Sequence, residues 1–232
     1  MPDDNKREGN RLKAVIFDMD GVIFDSERAY LECWKEIATG RGLGDYEQVF
    51  YRCIGVNNNQ TRMIVEEAYA PEYGEGIADI LLEESNRIFR SRYDNEPLPL
   101  KKGVTEILDY LKQNGIAFGL ASSTAKQNIV KELNNAGLYS YFDKIIGGDS
   151  VVISKPDPEI YFLACREMGT EPREAMAIED SYNGIRAAHA AGMHPVMVPD
   201  MIAPDEEMKE LSEIICKDLY EVKQYIGKVF NI

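Results

Sequence analysis

The sequence is poor in several residue types, and each shortage closes off a function class. Its four cysteines, Cys33, Cys53, Cys165 and Cys216, lie far apart with no C-x-x-C pair, so no disulfide framework is expected and a reduced cytoplasm is the expected compartment. Basic residues are in deficit: 26 Lys and Arg against 40 Asp and Glu give a formal charge of −14, which argues against a nucleic-acid partner. No apolar stretch approaches the roughly 20 residues that span a bilayer, and no apolar signal segment precedes the first strand, so no membrane partner is expected. The polar start "MPDDNKREGN", residues 1–10, reads as a disordered lead-in, and neither an internal repeat nor a low-complexity tract follows it.

What remains is a chain of 232 residues, 44% apolar, long enough for one large core carrying a smaller domain. Short β-branched runs alternate with helical patterns from Leu12 onward: "LKAVIFD", "IAFGLAS", "KIIGG", "AMAIED", "HPVMVP" and "EIIC" read as buried strands. Strands separated by helices predict a Rossmann-like, doubly wound parallel α/β sheet. Asn114-Gly115, Gly137 and Gly192 mark helix ends, and Pro156 and Pro158 suit a helix entry. From about Glu27 to Asn95 the periodicity is helical throughout, predicting a helical cap domain over 26–97 inserted into a core of 11–25 and 98–232. Within it Trp34, Met63 and Tyr69 are expected in the cap's own core, and Gly40, Gly42 and Gly44 read as a helix stop.

In open parallel sheets ligands bind beyond the carboxyl ends of the strands. The first strand delivers Asp18 and Asp20 there, the second Ser122 and Ser123, and "AMAIED" delivers Glu179 and Asp180, while Lys155 follows the third strand and its loop. Each like-charge carboxylate pair some 4 Å apart would cost on the order of 1 to 4 kcal/mol, so a cation is required. The oxygens are hard ligands, and neither His189 nor His194 lies in these motifs, so Mg²⁺ is favoured over zinc or copper. Ser122 and Ser123 precede a helix N-terminus, an intrinsic anion site, and with Lys155 and the carboxylates they suit a phosphoryl group. Asp18 offers a nucleophile for a covalent aspartyl-phosphate route.

Each piece alone has an ordinary explanation. A D-x-D-G is more often a turn, Ser122, Ser123 and Thr124 would serve as helix caps, Lys155 as a solvated loop residue, and "EDS" as a capped helix start. A calcium loop starting at Asp18 fails because its fifth and twelfth positions are Val22 and Ala29. Only the joint placement lifts these residues above the ordinary. Asp25, Ser26 and Glu27 read as a helix start and hinge, and both histidines as structural.

In their order, "DMDGVIFDSE", "ASS", "SKPDP" and "IEDSYNGI" resemble the four motifs of the haloacid dehalogenase superfamily, in particular its β-phosphoglucomutase-like phosphatase branch, over nearly the whole chain. The resemblance implies Asp18 as nucleophile, Asp20 as general acid and base, Ser122 on a phosphoryl oxygen, and Lys155 neutralising nucleophile and phosphate. It also implies Mg²⁺ held by the Asp18 carboxylate, the Asp20 backbone carbonyl and Asp180, with Glu179 ligating or supporting. The helical insert would be a lid that reads the leaving group of a small phosphorylated metabolite, with Arg52, Asn57, Asn58 and Arg62 as candidates and a monomer expected.

The branch's mutase needs a cap histidine where this chain has Tyr30, and basic cap groups where Lys35 is the only lysine between Glu27 and Asn95. Mutase is thereby weakened, and arginines 28, 52, 62, 87, 90 and 92 keep a second anion site open. A phosphonate hydrolase would have only Lys35 for a Schiff base, and a dehalogenase would have no use for Asp20 or the metal ligands. A catalytically silent phosphate-binding protein is the reading from another class.

Overall fold

The computed structural model describes residues 12–54 and 58–230, so the expected lead-in of residues 1–10 lies outside the described residues. Six strands form one sheet: β1 (Ala14–Phe17), β2 (Ala117–Ala121), β3 (Lys144–Ile146), β4 (Ala175–Glu179), β5 (His194–Met197) and β6 (Ile214–Ile215). Their order is β3-β2-β1-β4-β5-β6 and every pairing is parallel, as the six buried runs predicted.

Strand periodicity sorts the core into two layers. Val15 and Phe17 of β1, with Met176 and Ile178 of β4, join the layer containing Ile107, Ile129 and Ile226. These three come from α5 (Val104–Gln113), α6 (Lys126–Asn135) and α10 (Leu219–Phe230). Ala14 and Ile16, with Ala175 and Ala177, face Tyr161 and Ala164 of α7 (Glu159–Glu167) and Ala187 and Ala188 of α8 (Tyr182–Ala190). Small alanines on that side let α7 and α8 approach closely.

Between β1 and α5 stand four helices, α1 (Ser26–Arg41), α2 (Tyr46–Cys53), α3 (Asn58–Tyr73) and α4 (Ile77–Tyr93), with an apolar cluster of their own around Trp34, Phe50, Tyr69 and Leu81. Two connecting segments run side by side into and out of this bundle: the Asp25 N–H donates to the Pro99 carbonyl (2.8 Å) and the Lys101 N–H to that of Ile23 (2.9 Å). The expectation for Met63 fails, since it is 71% exposed. Val65 and Tyr69, one turn apart, define the buried face of α3, and Met63, two residues from Val65, is rotated about 200° onto the opposite side.

A short α9 (Glu206–Leu211) follows β5. His189 of α8 faces the Leu211 carbonyl at the end of α9, joining the two helices, while His194 in β5 sits between the Glu213 carboxylate and the Arg173 carbonyl and ties the flanking connections to the sheet. Among the described residues all four cysteines are free, and no helix is long and apolar enough to cross a membrane.

Candidate active site

Chain order reverses at β1, which lies between β2 and β4, and the predicted residues meet at the carboxyl ends of these three strands. The Asp18 N–H donates to the Ile178 carbonyl (2.9 Å), which locks the end of β1 to that of β4 and brings Asp18 beside Glu179 and Asp180. One carboxylate oxygen from each of these three lies within 4.8 Å of the others.

Lys155 is the cation of this cluster. Its Nζ donates to Asp18 Oδ1 (2.6 Å), Glu179 Oε1 (2.5 Å) and the Ala121 carbonyl (3.1 Å), and it lies over the Tyr161 ring, 5.1 Å from the centroid. Burial alone would lower its pKa, but the carboxylates of Asp18 and Glu179 hold it well above the usual lysine value, so it stays charged. Asp18 is 7% exposed. Burial pushes its carboxyl up to about 8; Lys155 opposes the shift, while the charges of Glu179 and Asp20 add to it. Asp180 is raised too, first by burial and then by Glu179 and Asp18.

One ammonium among three acids leaves the cluster short of positive charge. Among the described residues no donor or cation meets the Asp180 carboxylate, and none meets Asp18 Oδ2. A hard divalent cation bound by carboxylate oxygens fits this deficit, and Mg²⁺ matches the donor chemistry.

Two glycines make the close approach possible. Gly21 adopts a φ of +76°, and a Cβ there would stand 2.2 Å from Asp180 Oδ2. At Gly184, in the first turn of α8, a Cβ would meet the Glu179 carboxylate carbon at 1.9 Å. That carboxylate is fully buried and held by Lys155, by the Tyr161 hydroxyl (2.7 Å) and by the Ser181 hydroxyl (3.1 Å). A Gly184→Ala variant must therefore displace Glu179 and with it Lys155, so kcat/KM is expected to fall about a hundredfold, because misplacement by an ångström costs on that order. Unchanged steady-state kinetics in that variant would show that the position of Glu179 is immaterial.

Asp20 is arranged differently from Asp18. Its Oδ1 accepts from the Ser26 hydroxyl (2.8 Å) at the start of α1, and its Oδ2 from the Thr124 hydroxyl (2.9 Å) in the loop after β2. Its side chain is thus held by one hydroxyl from the inserted bundle and one from the sheet. Ser122 is buried, and its Oγ accepts the Thr124 N–H (3.0 Å), whereas Ser123 is exposed. At the start of α6, the Lys126 N–H is already taken by Asp149 (2.9 Å), so the helix end offers less to an anion than its sequence suggests.

Of the four cap candidates, the side chains of two are described. Arg52 pairs with Glu67 (2.5 Å) and Arg62 with Asp79 (2.5 Å), both on exposed surface. Asn57 lies outside the described residues, as does the side chain of Asn58. Ser26, Tyr161 and Ser181 were not singled out from the sequence as site residues. Ser26 read as a helix start, yet it is 3% exposed, and the residue at the N-cap is Asp25. Tyr161 lies in the apolar layer under the sheet, and only the Glu179 carboxylate across from it gives its hydroxyl a role.

The haloacid dehalogenase-like hydrolase family model matches residues 15–198. A phosphorylated carbohydrates phosphatase of Thermotoga maritima is 34% identical over 186 residues, covering 80% of this chain and 84% of that protein. A β-phosphoglucomutase of Bacillus subtilis is 29% identical over 216 residues, 90% of this chain and 95% of that one. The crystal structure of a hydrolase from Deinococcus radiodurans, with bound phosphate and sodium, superposes with a TM-score of 0.79 over 95% of this chain and 97% of its own; at 22% identity it speaks for the fold alone. With the family match spanning most of the chain and the motif residues joined at one end of the sheet, this chain belongs to the haloacid dehalogenase-like hydrolase family.

Proposed function

We propose that this protein is a Mg²⁺-dependent phosphatase of a small phosphorylated metabolite, a sugar phosphate, working through an aspartyl-phosphate on Asp18. The observation that carries this reading is the state of Asp18: Lys155 grips Oδ1 at 2.6 Å beside the carboxylates of Glu179 and Asp180, and no donor among the described residues takes Oδ2. The Thermotoga relative named for phosphorylated carbohydrates supports the substrate class.

In this mechanism Asp18 and Asp180 hold the metal together with the Asp20 backbone carbonyl, and Glu179 supports them by fixing Lys155. Bound Mg²⁺ supplies neutralisation of the phosphoryl oxygens and of the carboxylates around them. An oxygen of Asp18 attacks phosphorus as the bond to the leaving oxygen breaks, and Asp20 gives that oxygen a proton. Asp20 then takes a proton from the water that attacks the aspartyl-phosphate, which restores Asp18 and releases phosphate. The Ser122 hydroxyl, with Ser123 beside it, holds a phosphoryl oxygen, and the Lys155 charge balances the anion. The bundle at 26–97 acts as the lid over the core of 11–25 and 98–232, and the protein works as a cytoplasmic monomer.

Release of inorganic phosphate from a panel of sugar phosphates and an aryl phosphate tests the reading. Turnover is expected with Mg²⁺ and is expected to fall to background when EDTA removes the metal. Conversion of a sugar 1-phosphate to its 6-phosphate without phosphate release would favour the mutase of the Bacillus relative instead. Binding of a phosphosugar without turnover, with Mg²⁺ shown to bind, would favour a silent binding protein.

A further inference from the structure

One carboxylate on the sheet grips both connecting segments of the helical insert. Just past β5 the Val198 N–H donates to the Glu179 carbonyl (2.7 Å), which fixes the segment that carries Asp200 two residues later. Asp200 Oδ1 lies 2.5 Å from Lys101 Nζ on the returning segment and 3.7 Å from an Arg28 guanidinium nitrogen in the first turn of α1. Lys101 and Arg28 in turn both reach the Asp25 carboxylate, at 3.5 and 3.3 Å. Met201, next in the chain, packs against the bundle's own apolar cluster.

The Asp200 side chain is 1% exposed, and its Oδ2 is shielded with no hydrogen-bond partner among the described residues. A buried ion pair with one oxygen left unmet is weak support for stability, because desolvation offsets the attraction. Its use lies in what it holds. Asp25 directly precedes Ser26, whose hydroxyl donates to Asp20 Oδ1 (2.8 Å). The path from the sheet to Asp20 is therefore continuous: Asp200 holds Lys101 and Arg28, these hold Asp25, and the adjoining Ser26 holds Asp20.

We propose, on the phosphatase reading, that Asp200 is a positioning residue for Asp20: by gripping both connecting segments it sets the first turn of α1, and with it the Ser26 hydroxyl, so that Asp20 is aimed at the leaving oxygen. A general acid contributes its typical 10²–10⁴-fold, roughly, only within hydrogen-bond reach of the atom it protonates. A sugar alkoxide needs that proton, whereas 4-nitrophenolate, a far weaker base, leaves without it.

The test compares kcat/KM, which reports formation of the aspartyl-phosphate, on a hexose 6-phosphate and on 4-nitrophenyl phosphate with Mg²⁺. In Asp200→Asn the ratio of the hexose phosphate to the aryl phosphate is expected to fall about tenfold. Lys101→Met should lower the same ratio, and the double variant should lower it no further than Lys101→Met alone, because the two residues act in series. Equal losses on both substrates, a ratio that rises, or additive effects would overturn the role of Asp200. If wild type releases phosphate from neither substrate, it is the phosphatase reading that fails, and hydrogen exchange then tests the grip by itself. The Asp25 and Lys101 amides, bonded to the Pro99 and Ile23 carbonyls, should exchange at least about tenfold faster in Asp200→Asn while those of β4 keep their wild-type rates. Unchanged exchange at both amides, or the same acceleration in β4, would overturn the proposal.

Discussion

Phosphate release by an Asp18→Asn variant is expected to fall at least about a thousandfold, with the folded protein no less stable than wild type. The amide cannot attack phosphorus, so the covalent route closes. Stability should move the other way. The folded pKa of Asp18 is raised from 3.8 to about 8, so the folded state disfavours its charged form. That penalty is absent below the unfolded value and grows as pH rises through the folded one. In EDTA, the Tm of Asp18→Asn should therefore exceed that of wild type increasingly between pH 4 and about 8. Activity within tenfold of wild type would end the nucleophile assignment. A variant that unfolds at every pH would show that the Lys155 contact matters more than the repulsion among the acids.

Replacing Lys155 by Met should cost both stability and turnover. Lys155 is 6% exposed on its side chain and bonded to two carboxylates exposed by 10% and 0%. Removing one partner of a buried ionic group typically costs about 3–5 kcal/mol, because the remaining charge is left uncompensated. The high pKa of Asp18 moderates this loss, since that carboxyl can take up a proton once its partner is gone. Because the folded pKa of Lys155 is raised above 10.5, its contribution is fully present below that unfolded value and is lost only as pH rises through the folded one. A Lys155→Met variant should accordingly show a lower urea midpoint across the neutral range, and phosphate release reduced at least about a hundredfold. An unchanged midpoint would mean that the buried pair contributes nothing net to folding.

Much of this site is legible in the chain because its chemistry sits at the ends of apolar runs. Asp18, Ser122 and Glu179 each appear where a buried strand stops, and a parallel sheet brings such points together by its register. What is not legible depends on pairs far apart in sequence. The partners of Asp20 are Ser26 and Thr124, 6 and 104 residues away, and neither carries a local signal beyond that of a turn or cap. Gly184 reads as a helix-entry residue, and only the buried Glu179 carboxylate lying against it shows why no side chain fits. Met63 faces outward against expectation because helical periodicity gives a buried face only once the packing neighbours are known.

By itself the sequence determined the parallel sheet, the helical run between its first two strands and the acids at the strand ends, since burial periodicity is local. Only the tertiary structure decided which oxygen of Asp18 Lys155 takes and which hydroxyls hold Asp20. Those outcomes depend on distances of a few ångströms between segments that the chain's order alone does not bring into contact.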